Sequence, residues 1–138
     1  MTLVTTEQTP QLIDDLVRRI VTAVHPLQII LFGSAARGQL GPDSDLDVMV
    51  VMPSGTHRAK TVRYLYRQIA GFGFPVDIVV ATPDILKQHQ DNIGLIYRTV
   101  LAEGREVYVK PGSDATTAGN TSRARAVIIE SEYNSAQD

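Results

Sequence analysis

Residues 31–52, LFGSAARGQLGPDSDLDVMVVM, place two apolar runs of strand character on either side of a glycine-serine turn and a pair of aspartates. The first run ends at Phe32, and the second begins at Leu46, between Asp45 and Asp47. Carboxylates are costly to remove from water, so two of them at the mouth of an apolar strand require a physical reason. The elements that flank this stretch and the other acidic residues of the chain indicate what that reason is.

The composition is that of an ordinary globular protein. The 138 residues fit one domain, and the net charge of −2 gives no basic excess, so direct DNA binding is not expected. No apolar run approaches the roughly 20 residues that span a bilayer, and the first residues lack a secretory pattern. We therefore expect a cytoplasmic protein without membrane association. The absence of cysteine excludes disulfides and thiolate metal sites.

Hydrophobic periodicity predicts a succession of helices and strands around a small sheet, which is an α/β or α+β fold class. The predicted elements are a helix at about 10–24, strands at 27–32 and 46–52, a helix at 56–70, a strand at 76–81, a helical stretch from Thr82-Pro83 to Gly104, and an edge strand at 105–109. A short helix is also expected in SAARGQL, residues 34–40, with Arg37 one turn into it.

The composition changes near Lys110. Residues 111–122 are rich in Gly, Ser, Thr, Asn and Asp and predict a flexible linker, because they offer little apolar surface to bury. The remaining residues to 138 carry one apolar cluster at 127–129 and are predicted to form a disordered tail. We therefore expect a folded domain over 1–110, with the linker and tail over 111–138.

Three aspartates are candidates for a common site. Asp45 and Asp47 stand at positions i and i+2, which face the same side of a strand. Asp77 lies in another apolar run, Val76 to Val80, and completes a three-carboxylate cluster if the two strands are adjacent. Carboxylates side by side repel one another unless a cation lies between them, and Mg²⁺ or Mn²⁺ prefers oxygen ligands. A divalent metal site is the natural interpretation.

The turn after the first strand predicts a phosphate site. Gly33 and Ser34 offer backbone N–H groups and a hydroxyl at the beginning of a predicted helix, an arrangement that suits an anion. Arg37, and either Lys60 or Arg63, could add charge-assisted contacts. A phosphate site beside a carboxylate-held metal indicates phosphoryl or nucleotidyl transfer.

These residues carry a resemblance to a known family. Gly33-Ser34, ten residues, then Asp45-Leu46-Asp47 resembles the signature of the DNA polymerase β-like nucleotidyltransferase superfamily, with Asp77 where its third carboxylate lies. The resemblance spans about residues 10–109 and implies the nucleotidyltransferase fold, a small mixed sheet flanked by helices. The short chain and the stretch GSAARG, which includes Arg37, resemble the minimal nucleotidyltransferase (MNT) group, which includes antitoxins paired with HEPN-domain toxins.

The resemblance implies a role for each residue. Asp45 and Asp47 would bind two Mg²⁺ ions, with Mn²⁺ as a possible substitute, and Asp77 would bind the catalytic ion and orient or deprotonate the attacking hydroxyl. Gly33 and Ser34 would hold the β- and γ-phosphates of a nucleoside triphosphate, with ATP as the default. The acceptor hydroxyl then attacks the α-phosphate, and pyrophosphate leaves.

Three functions are compatible with this sequence. In the first, the protein transfers AMP from ATP to a tyrosine hydroxyl of a HEPN-type ribonuclease toxin and so acts as its antitoxin. In the second, it is the catalytic half of a two-component transferase, and a helical subunit binds a small-molecule substrate. In the third, it neutralises its partner by occlusion without catalysis. A hetero-oligomer or a homo-oligomer is expected, because no segment after residue 110 suits an acceptor domain.

Simpler interpretations apply to single residues. Asp45 could cap a turn, because PDSD is a turn sequence in its own right. The basic residues of the 56–70 helix are expected on a solvated face. Its two tyrosines, Tyr64 and Tyr66, and Tyr97 are expected in the core or at its boundary rather than as platforms for stacking bases.

Overall fold

The computed structural model of the protein describes residues 9–38, 44–88 and 103–111. Within these ranges the elements are α1 (Thr9–Val24), β1 (Gln28–Phe32), α2 (Gly33–Ala36), β2 (Leu46–Val51), α3 (Arg58–Gln68), β3 (Val76–Ala81), α4 (Pro83–Gln88) and β4 (Arg105–Val109). This order confirms the predicted succession of helices and strands. The predicted helical stretch between 89 and 102, with Tyr97, and the predicted linker and tail from 112 to 138 lie outside the described residues.

The four strands form one mixed sheet in the spatial order β3-β2-β1-β4. β1 is antiparallel to both β2 and β4, whereas β2 and β3 are parallel. The predicted edge position of residues 105–109 is confirmed, because β4 lies at one end of this order. The fold is a small mixed sheet flanked by helices, as the sequence predicted.

Alternation along β2 separates the two faces of the sheet. Leu46, Val48 and Val50 belong to one buried cluster, which contains residues of α1 and α3 such as Leu65. Met49 and Val51 belong to a second cluster on the other face, which includes Leu86 of α4. All five residues of β1 are buried, as expected for a central strand covered on both sides.

Helix α3 connects the two parallel strands β2 and β3. Parallel neighbours need a crossover connection, and an α-helix is its usual form. The helix ends at Gln68, and the following turn contains Gly71 and Gly73, whose φ angles of 83° and 91° suit glycine best. This confirms the predicted break, and it allows β3 to start beside the first residue of β2. Among the described residues, no helix has the length and apolar character needed to cross a membrane.

Candidate active site

The central feature of the site is the pairing of Asp47 with Asp77. In the parallel ladder between β2 and β3, Asp47 lies directly opposite Asp77. Side chains at paired positions of neighbouring strands point to the same face, and adjacent strands lie about 4.8 Å apart. Asp47 alternates with Val48 and Asp77 with Ile78, so both carboxylates lie on the face opposite α1 and α3. The fold therefore brings together two acidic residues that are thirty positions apart in the sequence.

Asp45 lies just outside the strand that carries Asp47. β2 begins at Leu46, so Asp45 belongs to the segment that enters the strand, and it is exposed. It is nevertheless close enough to Asp47 for its charge to raise the pKa of that carboxyl. The structure thus places all three predicted aspartates at one end of the sheet, with Asp47 and Asp77 as direct neighbours and Asp45 beside them.

The Asp47 carboxyl has a raised pKa. Partial burial raises the pKa of its carboxyl above the ordinary value of 3.8, and the nearby Asp77 and Asp45 raise it further. Burial acts in this direction because it disfavours the charged form, and like charges do the same. Among the described residues no ion pair to these three carboxylates is found, so their negative charge at this end of the sheet favours a bound cation.

The turn after β1 packs against this carboxylate. Phe32, the last residue of β1, is paired with Asp47, and Gly33 follows it with a φ of 72°. A Cβ atom at Gly33 would overlap Oδ2 of Asp47 and lie 3.2 Å from its Cγ. Only glycine leaves this space to the carboxylate while adopting a left-handed backbone without strain. The glycine of the glycine-serine turn therefore has a physical role in seating Asp47.

Helix α2 is shorter than its sequence predicted. It begins at Gly33 and ends at Ala36, so Arg37 is its C-terminal cap rather than a residue within the helix. Since a single turn sums few peptide dipoles, the helix contributes less positive potential to an anion than predicted. Ser34 is half-buried within this turn, and Arg37 is exposed with its guanidinium 3.9 Å from the Glu103 carboxylate.

One contact to the acidic pair comes from a residue that was expected in the core or at its boundary. Tyr66 of α3 is exposed, and its hydroxyl lies 3.4 Å from Oδ1 of Asp77 and accepts a 2.9 Å hydrogen bond from the backbone N–H of Ile78. The helical spacing of Val62, Leu65, Tyr66 and Ile69 is typical of an apolar stripe, which is why the sequence suggested an apolar role for Tyr66. The hydroxyl of Tyr66 was the sequence signal of a polar role.

The basic residues of α3 lie at the protein surface. Their exposure confirms the predicted solvated face, which consists of Arg58, Lys60, Arg63 and Arg67. Among the described residues, a groove of about 400 Å³ is lined by residues of α1 and α3, among them Arg18, Arg19 and Tyr64. No contact between these basic side chains and the acidic pair is found in the part of the chain that the structure describes, so their proposed contact with phosphate stays a prediction.

The sequence profile of the nucleotidyltransferase domain matches residues 12–107. This range spans well over half of the chain and includes the turn at Gly33 and all three aspartates. The chain belongs to the nucleotidyltransferase domain family. The comparison of this nucleotidyltransferase domain with curated proteins returned no match.

Solved structures support the fold assignment. The nucleotidyltransferase domain is similar to a candidate nucleotidyltransferase from Sulfolobus solfataricus, with a TM-score of 0.53 and 17% sequence identity over 78% of this chain and 86% of the other. A likeness at this identity shows the fold alone.

Two matches have lower TM-scores. One, to a structure of a toxin-antitoxin with AMP-PNP, has a TM-score of 0.44 and 18% identity over 92% of this chain and 88% of the other. The second, to tri-AMPylated Shewanella oneidensis HEPN toxin in complex with MNT antitoxin, has a TM-score of 0.41 and 13% identity over 96% and 87%. Scores this low establish neither fold nor function for this nucleotidyltransferase domain.

The acidic pair has the donor chemistry for the divalent metal that nucleotidyltransferases use with a nucleoside triphosphate. Carboxylate oxygens suit Mg²⁺, which is commonly held by one or two carboxylates together with substrate phosphates. Within residues 9–38, 44–88 and 103–111, no three His, Cys, Asp or Glu side chains are grouped closely enough to hold a metal by themselves. Asp47 and Asp77 therefore fit as an open, two-carboxylate part of a site that substrate oxygens would complete.

The raised pKa of Asp47 predicts a pH-dependent stability of the nucleotidyltransferase domain. Because the folded chain holds this proton more tightly than the unfolded chain, folding disfavours the ionised carboxylate. The penalty is absent below the unfolded value near 3.8 and grows as the pH rises through the higher folded value. At pH 7 in EDTA, Asp47→Asn should therefore melt about 1–3 °C above wild type, since solvent screening reduces the penalty below about 1 kcal/mol.

Thermal denaturation between pH 4 and pH 8 measures this difference. The gap between Asp47→Asn and wild type should shrink toward pH 4, where the wild-type carboxyl becomes protonated. Asp14→Asn, the same change at an exposed position of α1, is the control and should melt with wild type throughout. A gap that stays constant over this range would contradict a charge-based origin.

Proposed function

We propose that this nucleotidyltransferase domain transfers AMP from ATP, with Mg²⁺, to a tyrosine hydroxyl of a partner protein and thereby acts as the antitoxin of a HEPN-type ribonuclease toxin. The observation that carries the proposed chemistry is the in-register pair of Asp47 and Asp77, with Asp47 seated against Gly33. The antitoxin role is supported by the resemblance of GSAARG and its spacing to the aspartates to the minimal nucleotidyltransferase group.

In this proposal the acidic side chains would bind the metal ions, and one of them would also accept the proton of the acceptor hydroxyl. Asp45 and Asp47 would hold both ions, and Asp77 would hold the catalytic ion and accept the proton of the attacking hydroxyl. Bound divalent ions would offset the negative charge of the phosphates and of the acceptor oxygen. The raised pKa of Asp47 supports this assignment, because burial and the neighbouring Asp77 and Asp45 disfavour its ionised form, which a bound cation would favour.

The turn after β1 holds the leaving group. Gly33 and Ser34 bind the β- and γ-phosphates through backbone N–H groups and the serine hydroxyl, and Arg37 contributes its charge to the same phosphates. The Arg37 side chain is half exposed, and its guanidinium lies 3.9 Å from the Glu103 carboxylate. A surface ion pair of this length contributes little to stability.

The reaction is a substitution at the α-phosphorus. The acceptor oxygen forms a bond to this phosphorus, the bond to the bridging oxygen of the β-phosphate breaks, and pyrophosphate leaves. The hydroxyl proton goes to Asp77. The protein contributes position and charge and forms no covalent intermediate, which is the usual division of labour in phosphoryl transfer.

The test is the intact mass of a HEPN-domain protein that forms a complex with this chain. The complex is incubated with ATP and Mg²⁺, and parallel samples contain EDTA or lack ATP. A gain of whole AMP units on the partner, only in the complete reaction, is the expected result.

Two other outcomes distinguish the alternative functions. A stable complex whose partner gains no mass, and in which the partner's ribonuclease activity is blocked, would replace the proposal with neutralisation by occlusion. Pyrophosphate release that depends on an added small-molecule alcohol, with no mass gain on the partner, would replace it with a two-component small-molecule transferase.

A further inference from the structure

Among the described strands, β3 lies at one end of the sheet, and it carries Asp77 of the acidic pair. The carbonyls of Pro75 and Ala81 accept hydrogen bonds from residues at the two ends of β2. In a parallel ladder, alternate residues face the neighbouring strand, so the odd-numbered positions of β3 bond to β2 and Ile78 faces away from it. Its N–H group points to the edge, where an unpaired donor is a liability. The Tyr66 hydroxyl accepts this hydrogen bond at 2.9 Å.

The direction of these hydrogen bonds is determined by chemistry. A backbone N–H can only donate, so the oxygen of the Tyr66 hydroxyl is the acceptor toward Ile78. The hydroxyl proton is then left to donate to Oδ1 of Asp77, which lies 3.4 Å away and can only accept when it is ionised. One hydroxyl therefore joins a carboxylate to the backbone of the next residue in the same strand.

We propose that Tyr66 is a positioning residue that orients the Asp77 carboxylate for metal binding and transfer. This inference rests on the proposed function for the role of Asp77. Tyr66 itself touches neither metal nor substrate in this proposal. By occupying Oδ1, it leaves Oδ2 and the remaining lone pairs of Asp77 available on the side of Asp47.

The contact matters because, in the part of the chain that the structure describes, it is the side-chain hydrogen bond found for the Asp77 carboxylate. Asp77 is exposed at the second residue of an edge strand, where a carboxylate can rotate among several conformers. Tyr66 comes from α3, an element packed against the opposite face, and its position is secured by the neighbouring buried Leu65. Hydrogen bonds from outside the ligand set fix the orientation of ligands, and their loss commonly weakens metal binding or activity about 10- to 100-fold.

The test compares Tyr66→Phe with Tyr64→Phe. Both tyrosines lie on α3 and are almost equally exposed, at 40% for Tyr64 and 39% for Tyr66, so each variant removes one hydroxyl from the same helix, but only Tyr66 contacts Asp77 among the described residues. Binding of Mn²⁺ alone to the full-length protein is measured from the loss of the free-ion electron paramagnetic resonance signal. AMP transfer to the HEPN-domain partner is measured over a range of ATP concentrations.

For Tyr66→Phe we expect Mn²⁺ affinity and kcat each to fall about 10-fold, with KM for ATP within twofold of wild type. The separation arises because the triphosphate is held at Gly33 and Ser34 rather than at Asp77. Tyr64→Phe should match wild type in all three quantities. A purely structural role would lower the melting temperature of Tyr66→Phe without this separation.

The outcomes separate this inference from the function on which it rests. If wild type transfers AMP and Tyr66→Phe matches it in kcat and in Mn²⁺ affinity, the inference is wrong and the proposed function stands. If wild type transfers nothing but Tyr66→Phe still binds Mn²⁺ about 10-fold more weakly than Tyr64→Phe, the positioning role stands and the proposed function is wrong. Equal losses in both variants would overturn the inference as well.

Discussion

Asp47→Asn is expected to lower the rate of AMP transfer by at least about 10³-fold while leaving the complex with the partner intact. The variant keeps the size and shape of the side chain and removes its charge. Metal ions contribute several kcal/mol of charge stabilisation in transfer reactions, and each 1.36 kcal/mol corresponds to a factor of ten in rate. Loss of the most buried acidic ligand should forfeit most of this contribution.

The same substitution should act in opposite directions on activity and on stability. Burial and two acidic neighbours raise the pKa of Asp47. Its negative charge is therefore unfavourable for the fold, whereas in our proposal the same charge is essential for the chemistry. A variant that melts slightly higher than wild type yet transfers no AMP is therefore the expected signature. Such an exchange of stability for function is typical of active sites.

The measurement is single-turnover transfer of labelled AMP, compared among wild type, Asp47→Asn and Asp14→Asn. Asp14 is exposed on α1, so its substitution changes the net charge equally and should leave the rate within twofold of wild type. Protection of a host cell from the partner is measured in parallel. Full protection by an Asp47→Asn protein that transfers nothing would sink the enzymatic antitoxin and favour occlusion.

Much of the fold could be predicted because each element has a strong local signal. The apolar run at 76–81 became β3 without any change of bounds, and the stripe at 10–24 became α1 with one extra residue. Buried strands and amphipathic helices report their burial directly through residue type and spacing. The extent of α2 was less predictable, because a single turn between two strands depends on how those strands pair.

The site was predictable in composition but not in its contacts. Alternation predicted that Asp45 and Asp47 face the same side of a strand, but only the parallel register places Asp77 opposite Asp47. The seating of Asp47 against Gly33 depends on the antiparallel pairing of β1 with β2, and Tyr66 reaches Asp77 only because α3 crosses to the edge of β3. Each of these contacts joins residues whose proximity no local pattern encodes.

Gly33→Ala is expected to reduce the rate of AMP transfer about 10²-fold, although the substitution adds only one methyl group. Two separate penalties arise at this position. The φ of 72° strains any residue with a Cβ by about 1 kcal/mol or more. In addition, the new methyl group would occupy the position of Oδ2 of Asp47, so the carboxylate must move. Displacements of about 1 Å at a catalytic group commonly cost about 10²-fold in rate.

Gly71→Ala separates the two penalties. Gly71 has a φ of 83°, and a Cβ there meets nothing within 4 Å among the described residues, so this variant carries the backbone strain without a collision. It lies in the turn after α3, outside the proposed machinery. Gly71→Ala should lose about 1 kcal/mol of stability and retain wild-type transfer at temperatures where it is folded. Equal activities of the two glycine variants would contradict a role for Gly33 in seating Asp47.

A double-mutant cycle in unfolding free energy tests the collision itself, independently of any activity. Gly33→Ala is made in wild type and in an Asp47→Ala background, where no carboxylate remains to be displaced. Contacting residues usually couple by about 0.5–3 kcal/mol. We therefore expect Gly33→Ala to lower the free energy of unfolding by at least about 0.5 kcal/mol less in the Asp47→Ala background than in wild type. The backbone strain is common to both backgrounds and cancels. Additive effects would mean that the Asp47 carboxylate does not rest on Gly33, and the predicted loss of transfer would then lack its physical cause.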